Sequence, residues 1–307
     1  GIDHVMWHDE KMVFPDGNAE PAGDAEFMVE TARKMYHEIS PETGEFIDFM
    51  IDHQLMDLEN KPGKASTGYM TSLPSLKAPF VFSCFNHTIF DMQVLTHELG
   101  HAFAGYMAMR SQPISDYYSE TTDIAEIHSM SMEQFAYPYA QWFFGDQADK
   151  FRFAHLQEAL TFVPFGVAVD EFQHICYANP QLTPKERTYQ WRLLEEKYMP
   201  WRKYDNDAFM ERGGYWYHKL HIYLYPFYYI NYTLTTMGAM EFKKKYAEDK
   251  AAAWQDYLKL CKTGGSRSYL ETLRYANLAN PFEAGSVARA CGYAEDILLR
   301  QLAEQEK

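Results

Sequence analysis

The run DMQVLTHELGHAFAGYMAMR, residues 91–110, constrains this chain more than any other stretch. Leu95, Leu99, Phe103 and Met107 recur at helical spacing, so the segment reads as an amphipathic helix anchored along one face. His97 and His101 stand one turn apart and about 40° apart around that helix, so two imidazoles can reach one ion. Glu98 follows the first histidine and points beside such an ion rather than at it. A general base that takes a proton from water belongs there. Gly100 costs roughly 1 kcal/mol relative to Ala inside a helix, which predicts that another element packs closely against it.

Two histidines need a third ligand if one coordination position is to stay open. Glu120 and Glu126 both lie downstream in SDYYSETTDIAEIHSMSMEQF. Glu120 stands in a Ser/Thr/Asp cluster that reads as a loop. Glu126 falls one turn inside a helix opened by Thr122 or Asp123, with Ile127, Met130 and Met132 around it. A carboxylate in that apolar setting requires a cation or a strong donor, which favours Glu126. Ligating histidines usually donate their second ring nitrogen to a carboxylate or carbonyl. Of the neighbours Asp123, Ser129 and Glu133, we single out Glu133 and Asp123 for that part. His128 falls on another side of the helix and reads as structural.

Around these motifs the pattern is mainly helical. Loop residues fill 14–24, and a helical face follows over 25–39. Ser40 and Pro41 are an N-cap and first-turn pair for a second helix drawn over 41–60. FVFSCF, 80–85, is the best strand candidate of a small sheet near 65–90; it reads either as a sheet edge open to an added peptide strand or as a buried strand. Beyond residue 110 the spacing predicts helices over about 124–145, 147–163, 165–178, 183–199, 205–218, 221–248, 250–262 and 266–276, with a closing helix from 283. The punctuation between them is short, so no flexible linker divides the chain.

At 307 residues and 47% hydrophobic, the chain can bury a sizeable core. With 43 acidic against 28 basic residues its formal charge is −15, which argues against nucleic acid or an anionic membrane as partner. Cys84, Cys176, Cys261 and Cys291 lack paired spacing and read as small buried hydrophobes in a reducing compartment. No run of eighteen apolar residues occurs, and the start lacks a basic segment followed by an apolar run, so the expected location is cytoplasmic. The first residue is Gly rather than Met, which suits a trimmed chain or a piece of a longer one.

HELGHA, followed after 24 residues by the glutamate of DIAEIHSMSME, resembles the thimet oligopeptidase and oligoendopeptidase F family of zinc metallopeptidases, and most nearly its bacterial oligoendopeptidase F branch. GKASTGYM upstream, FGVAVDEFQHICYANPQLTPKER in the middle and HIYLYPFYYINYTLTTMGAMEF late in the chain resemble that branch in order and spacing. The resemblance implies that His97, His101 and Glu126 bind one zinc ion and that Glu98 is the general base. It also implies a tyrosine and histidine group facing the substrate, for which the sequence offers His221, Tyr225, Tyr229 and Tyr232 in a late helix. Tyr225 and Tyr232 keep the family's mutual separation and are favoured as donors to the developing oxyanion. Most of the tyrosines, 23 in all, read as packing residues. Gly68 and Tyr69 would shape the same cleft.

The expected fold is therefore a mainly α, zincin-type metallopeptidase catalytic lobe with a small β-sheet beside the HExxH helix. A single catalytic domain over 1–307 would comprise a helical entry segment (1–63), the sheet (64–90), the zinc-binding helices (91–145) and a helical lobe carrying the Tyr/His helix (146–307). Family members are longer, with a large N-terminal helical region. The chain is then the catalytic part of a longer enzyme, one completed by a partner chain, or a reduced version. The expected activity is hydrolysis of internal peptide bonds in short oligopeptides. The alternatives are an aminopeptidase or dipeptidyl carboxypeptidase with the same zinc chemistry, or an idle metal-containing peptide-binding module. Glu98 argues against the idle module, since a structural site has no use for a base beside the ion.

Overall fold

A computed structural model describes residues 6–305. Asp24 caps the first helix, α1 (Ala25–Ile39), by accepting from the backbone of Phe27. Ser40 closes a capping box with Thr43 and opens α2 (Pro41–Asp52), with Pro41 in its first turn as expected. This helix stops eight residues short of the sequence reading. Gln54 takes a left-handed φ of 52°, which breaks the helical path, and Met56–Glu59 becomes strand β1. The sheet thus begins before residue 64, and it continues with β2 (Tyr69–Leu73) and β3 (Ala78–Phe85).

Strand order is β1-β3-β2, with β1 parallel and β2 antiparallel to β3. The FVFSCF run is therefore the buried central strand, and β2 and β1 are the edges. Its alternating burial explains the ambiguity: Val81, Ser83 and Phe85 face the core while Phe80, Phe82 and Cys84 are half-buried. Helices α3 (Phe90–Ser111), α4 (Thr122–Ala136), α5 (Ala140–Phe144), α6 (Ala148–Ala178), α7 (Pro184–Tyr198), α8 (Leu220–Leu224), α9 (Ile230–Glu248), α10 (Lys250–Thr263), α11 (Tyr269–Tyr275) and α12 (Ser286–Gln305) complete the chain.

Several predicted helices change shape. The run read as 124–145 ends at Ala136, because Pro138 turns the chain into a short 3-10 segment before α5. The two helices read on either side of Pro164 are one, α6; burial of Val163 and Phe165 beside the proline carries the helix across the missing hydrogen bond. Residues 205–218 are turns followed by a 3-10 segment, Gly214–His218, since Asp205, Asn206 and Gly213 all hold positive φ. The single late helix over 221–248 is two, α8 and α9, parted by a turn around Pro226. Proline offers no N–H and disfavours helical backbone in the residue before it.

The described residues form two compact units, one of 6–18 with 154–234, the other of 19–153 with 235–305. In the second, Phe46, Phe103, Phe135, Trp254 and Tyr257 interlock edge to face or stacked and form the aromatic core beneath α3. In the first, Phe165, Phe172, Trp191, Trp216 and Tyr229 fill a separate core. Cys261 and Cys291 are buried as expected, whereas Cys84 and Cys176 are half-buried; all four are free thiols. Among the described residues no helix is long and apolar enough to cross a membrane.

Candidate metal centre

The second unit builds its site from α3 and α4. The carboxylate of Asp91 accepts from the backbone N–H groups of Asn86 and His87 (3.1 and 2.8 Å), which ties the exit of β3 to the first turn of α3. α3 is not half-wet as the sequence pattern implies: Leu95, Leu99 and Phe103 are buried, but so are residues on its other faces, including Thr96, Glu98 and Ala104. α4 crosses it at Gly100. A Cβ at that glycine would lie 2.7 Å from Ser129 Cα and 2.9 Å from Met132 Cβ, distances no real side chain reaches. The glycine signal in the sequence is thus a close helix crossing.

That crossing delivers Glu126 to the histidines. Its Oε2 lies 3.0 Å from His97 Nε2 and 3.2 Å from His101 Nε2, and the two imidazole rings stand nearly perpendicular with centroids 4.9 Å apart. One donor atom from each of the three residues lies within 4.8 Å of the other two. Glu133, two turns further along α4, holds His97 Nδ1 at 2.6 Å, which directs Nε2 toward Glu126 and His101 and would leave that nitrogen to ligate an ion. Ser129 donates to Glu126 Oε2 at 3.0 Å, a contact the sequence reading passed over although i,i+3 spacing was its signal. Asp123 does not take part; it receives the Thr121 hydroxyl at the start of α4.

Electrostatics follow from this packing. Burial by itself disfavours a charged His97, yet its hydrogen bonds to Glu126 and Glu133 outweigh that and raise its pKa well above the usual histidine value. Burial likewise works against the Glu126 carboxylate, but hydrogen bonds from His101 and His97 hold its pKa far below the ordinary range. Among the described residues Glu98 Oε2 has no such partner. Glu98 is 7% exposed, and burial raises its pKa. The backbone before β2 closes on it: a Cβ on Gly68 would sit 3.2 Å from Glu98 Oε1.

Two imidazoles and one carboxylate converging in a half-buried pocket suit a divalent ion of zinc type. Cation charge would replace the charged hydrogen bonds that now hold Glu126, and the donor set leaves a tetrahedral position over. Glu120, the other third-ligand candidate, lies elsewhere, with its Oε1 3.2 Å from Nδ1 of the buried His128. His128 is a core residue, as its helical position suggests.

The family model for Peptidase family M3 matches residues 28–291. This chain belongs to Peptidase family M3. Within the family it is similar to a solved structure of PZ peptidase A with inhibitor 2, at 50% identity and a TM-score of 0.91 over 98% of this chain and 53% of that one. It is also similar to an oligoendopeptidase F homolog of Borreliella burgdorferi, 24% identical over 73% of this chain and 38% of the relative. Oligopeptidase PepF of Bacillus subtilis is 22% identical over 81% of this chain and 37% of its own length. The M3 chain described here therefore spans under two-fifths of those curated relatives and about half of the solved neighbour.

The remaining residues that the resemblance singles out belong to the first unit. There His221 lies at the centre of a tyrosine group, its ring centroid 6.4 Å from Tyr225, 5.1 Å from Tyr229 and 5.9 Å from Tyr232. Tyr225 is 60% exposed, Tyr232 half-buried and Tyr229 buried in the core. Tyr228, which the sequence reading did not single out, stacks on His221 at 6.1 Å and 16°. Nothing distinguishes it in a run of tyrosines until the turn at Pro226 sets its direction.

Proposed function

We propose that this chain is the catalytic part of a zinc-dependent endopeptidase that hydrolyses internal bonds of short oligopeptides. The observation that carries this reading is a buried carboxylate, Glu98, whose Oε2 has no hydrogen-bond partner among the described residues, next to three converging ligand atoms from His97, His101 and Glu126. Zinc held there would polarise a peptide carbonyl and acidify water near neutral pH. Glu98 accepts the proton of the attacking water and hands it to the leaving amine. Its position beside the three converging donor atoms suits a group that must hold the proton between the two events. Glu133 keeps His97 in the tautomer that ligates through Nε2.

An extended peptide would add to edge strand β2, whose first residues follow the Gly68 backbone that lies against Glu98. Main-chain pairing of this kind gives affinity with little sequence demand. Tyr225 and Tyr232 are the donors to the developing oxyanion in this reading, and the exposure of Tyr225 leaves its hydroxyl available. In the same reading residues 1–307 act as one catalytic domain. Four free thiols support a reducing, cytoplasmic setting.

Glu98→Gln tests the assignment. Metal analysis should show one zinc per chain in both proteins, while turnover of an internally quenched peptide disappears in the variant. Mass spectrometry of the wild-type products should show internal cuts; release of single N-terminal residues or C-terminal dipeptides would instead establish an exopeptidase. Turnover that survives Glu98→Gln would sink the mechanism.

A further inference from the structure

The turn that parts α8 from α9 carries a residue in the wrong place. Tyr228 N–H donates to the Tyr225 carbonyl at 3.1 Å, closing a four-residue turn with Pro226 in its second position and Phe227 in its third. Phe227 has φ 62°. Proline followed by positive φ is the signature of a type II turn, whose third residue is normally Gly or Asn because a side chain there is crowded. Here it is a phenylalanine, 37% exposed, its ring resting 4.9 Å from His174 and 5.0 Å from Tyr177.

The turn is held from outside itself. Gln173 on α6 is 1% exposed, and its Oε1 accepts the Phe227 N–H at 2.8 Å. The other half of the same amide donates to the Val169 carbonyl one turn back, at 3.3 Å, which fixes which end of the side chain faces the turn. Both functions of a buried amide are thus used, one to orient the glutamine and one to clamp the strained residue. Tyr225 begins the clamped turn and Tyr228, stacked on His221, ends it.

We propose that Gln173 is a positioning residue for peptide hydrolysis: by holding Phe227 in the left-handed conformation it sets the direction of Tyr225 and of the Tyr228–His221 stack. The inference rests on the peptidase reading above. It differs from a packing role, because it predicts that the need for Gln173 depends on what stands at 227.

The test is a double-mutant cycle in the zinc-loaded chain, read by kcat and KM on a quenched peptide and by hydrogen exchange of the 223–229 amides. Gln173→Leu removes both hydrogen bonds at nearly constant volume. It should lower kcat by about ten-fold with little change in KM and speed exchange at 227, with zinc content intact. Gln173→Glu, whose neutral form can accept from Phe227 and donate to Val169, should retain most of the rate. In a Phe227→Gly background, where positive φ carries no penalty, Gln173→Leu should cost less than about three-fold. Equal kcat for wild type and Gln173→Leu, or equal losses in both backgrounds, would overturn the proposal. A wild type with zinc but no turnover would instead remove the peptidase reading, and the exchange data would still report on the clamp.

Discussion

The α3–α4 crossing and the 225–228 turn solve opposite problems with opposite residues. At the crossing, a helix interior that would prefer Ala holds Gly100, since the neighbouring backbone leaves no room for a Cβ. In the turn, a position that would prefer Gly holds Phe227 at φ 62°. The first site gives up local propensity to bring two helices together, and the donor atoms meet as a result. The second gives up local propensity to present a side chain, and a buried amide from another helix is needed to keep it there. One site is specified by packing on all sides; the other by one long-range hydrogen bond and by the contacts of a part-exposed ring with His174 and Tyr177.

The largest expected effect breaks the first site at its centre. Glu126→Ala removes the atom on which both histidines converge and should abolish stoichiometric zinc binding. Glu120→Ala should leave zinc in place, because that carboxylate serves His128 instead. Metal analysis after dialysis decides between them, and the reverse pattern would transfer the third ligand to Glu120. No comparable substitution exists in the turn, where the same logic predicts a graded loss of rate rather than an all-or-none loss of metal.

The contrast also explains which parts of the molecule could be read from its sequence. That His97, Glu98 and His101 share one side of a helix is legible because i, i+4 spacing is local: spacing alone puts the groups together. Glu126 and Glu133 follow from the same period on the next helix, once burial is used to choose among carboxylates. Gly100 is legible as an anomaly. The sheet edge is less so, because Met56–Glu59 continues a helical apolar pattern and only the backbone reversal at Gln54 separates the two. In the run YLYPFYYINY the proline was a visible stop, but uniform aromatic character masks a turn inside an apparent helix. The pairing of Gln173 with Phe227, 54 residues apart, has no local signature at all.

Gly100→Ala gives the next effect in size. The added methyl would meet Ser129 Cα, Met132 Cβ and the His128 carbonyl at 2.7–3.0 Å, two of them backbone atoms, so the helices must part. Overpacking of this kind costs about 1–3 kcal/mol, from which the better helix propensity of Ala returns about 1. A net loss of up to about 2 kcal/mol in urea unfolding of the metal-free protein is expected, together with weaker zinc binding, because Glu126 moves with α4. A stabilised Gly100→Ala protein would mean that the crossing is looser than these distances and that the glycine is incidental.

Phe227→Gly should have the smallest effect on stability, and it sharpens the comparison most. Truncating a fully buried phenylalanine costs about 3–5 kcal/mol. At 227 the ring is 37% exposed, so less packing is lost, and relief of the strained backbone offsets part of that. Glycine adds its own penalty of roughly 0.5–1 kcal/mol through the freedom it gives the unfolded chain. The balance is a small net loss, and the urea midpoint should move down by the equivalent of about 1 kcal/mol. A loss above about 2 kcal/mol would show that the ring itself, packed on His174 and Tyr177, holds the segment together, and the turn would then resemble the helix crossing: a structure fixed by burial, with Gln173 as an accessory.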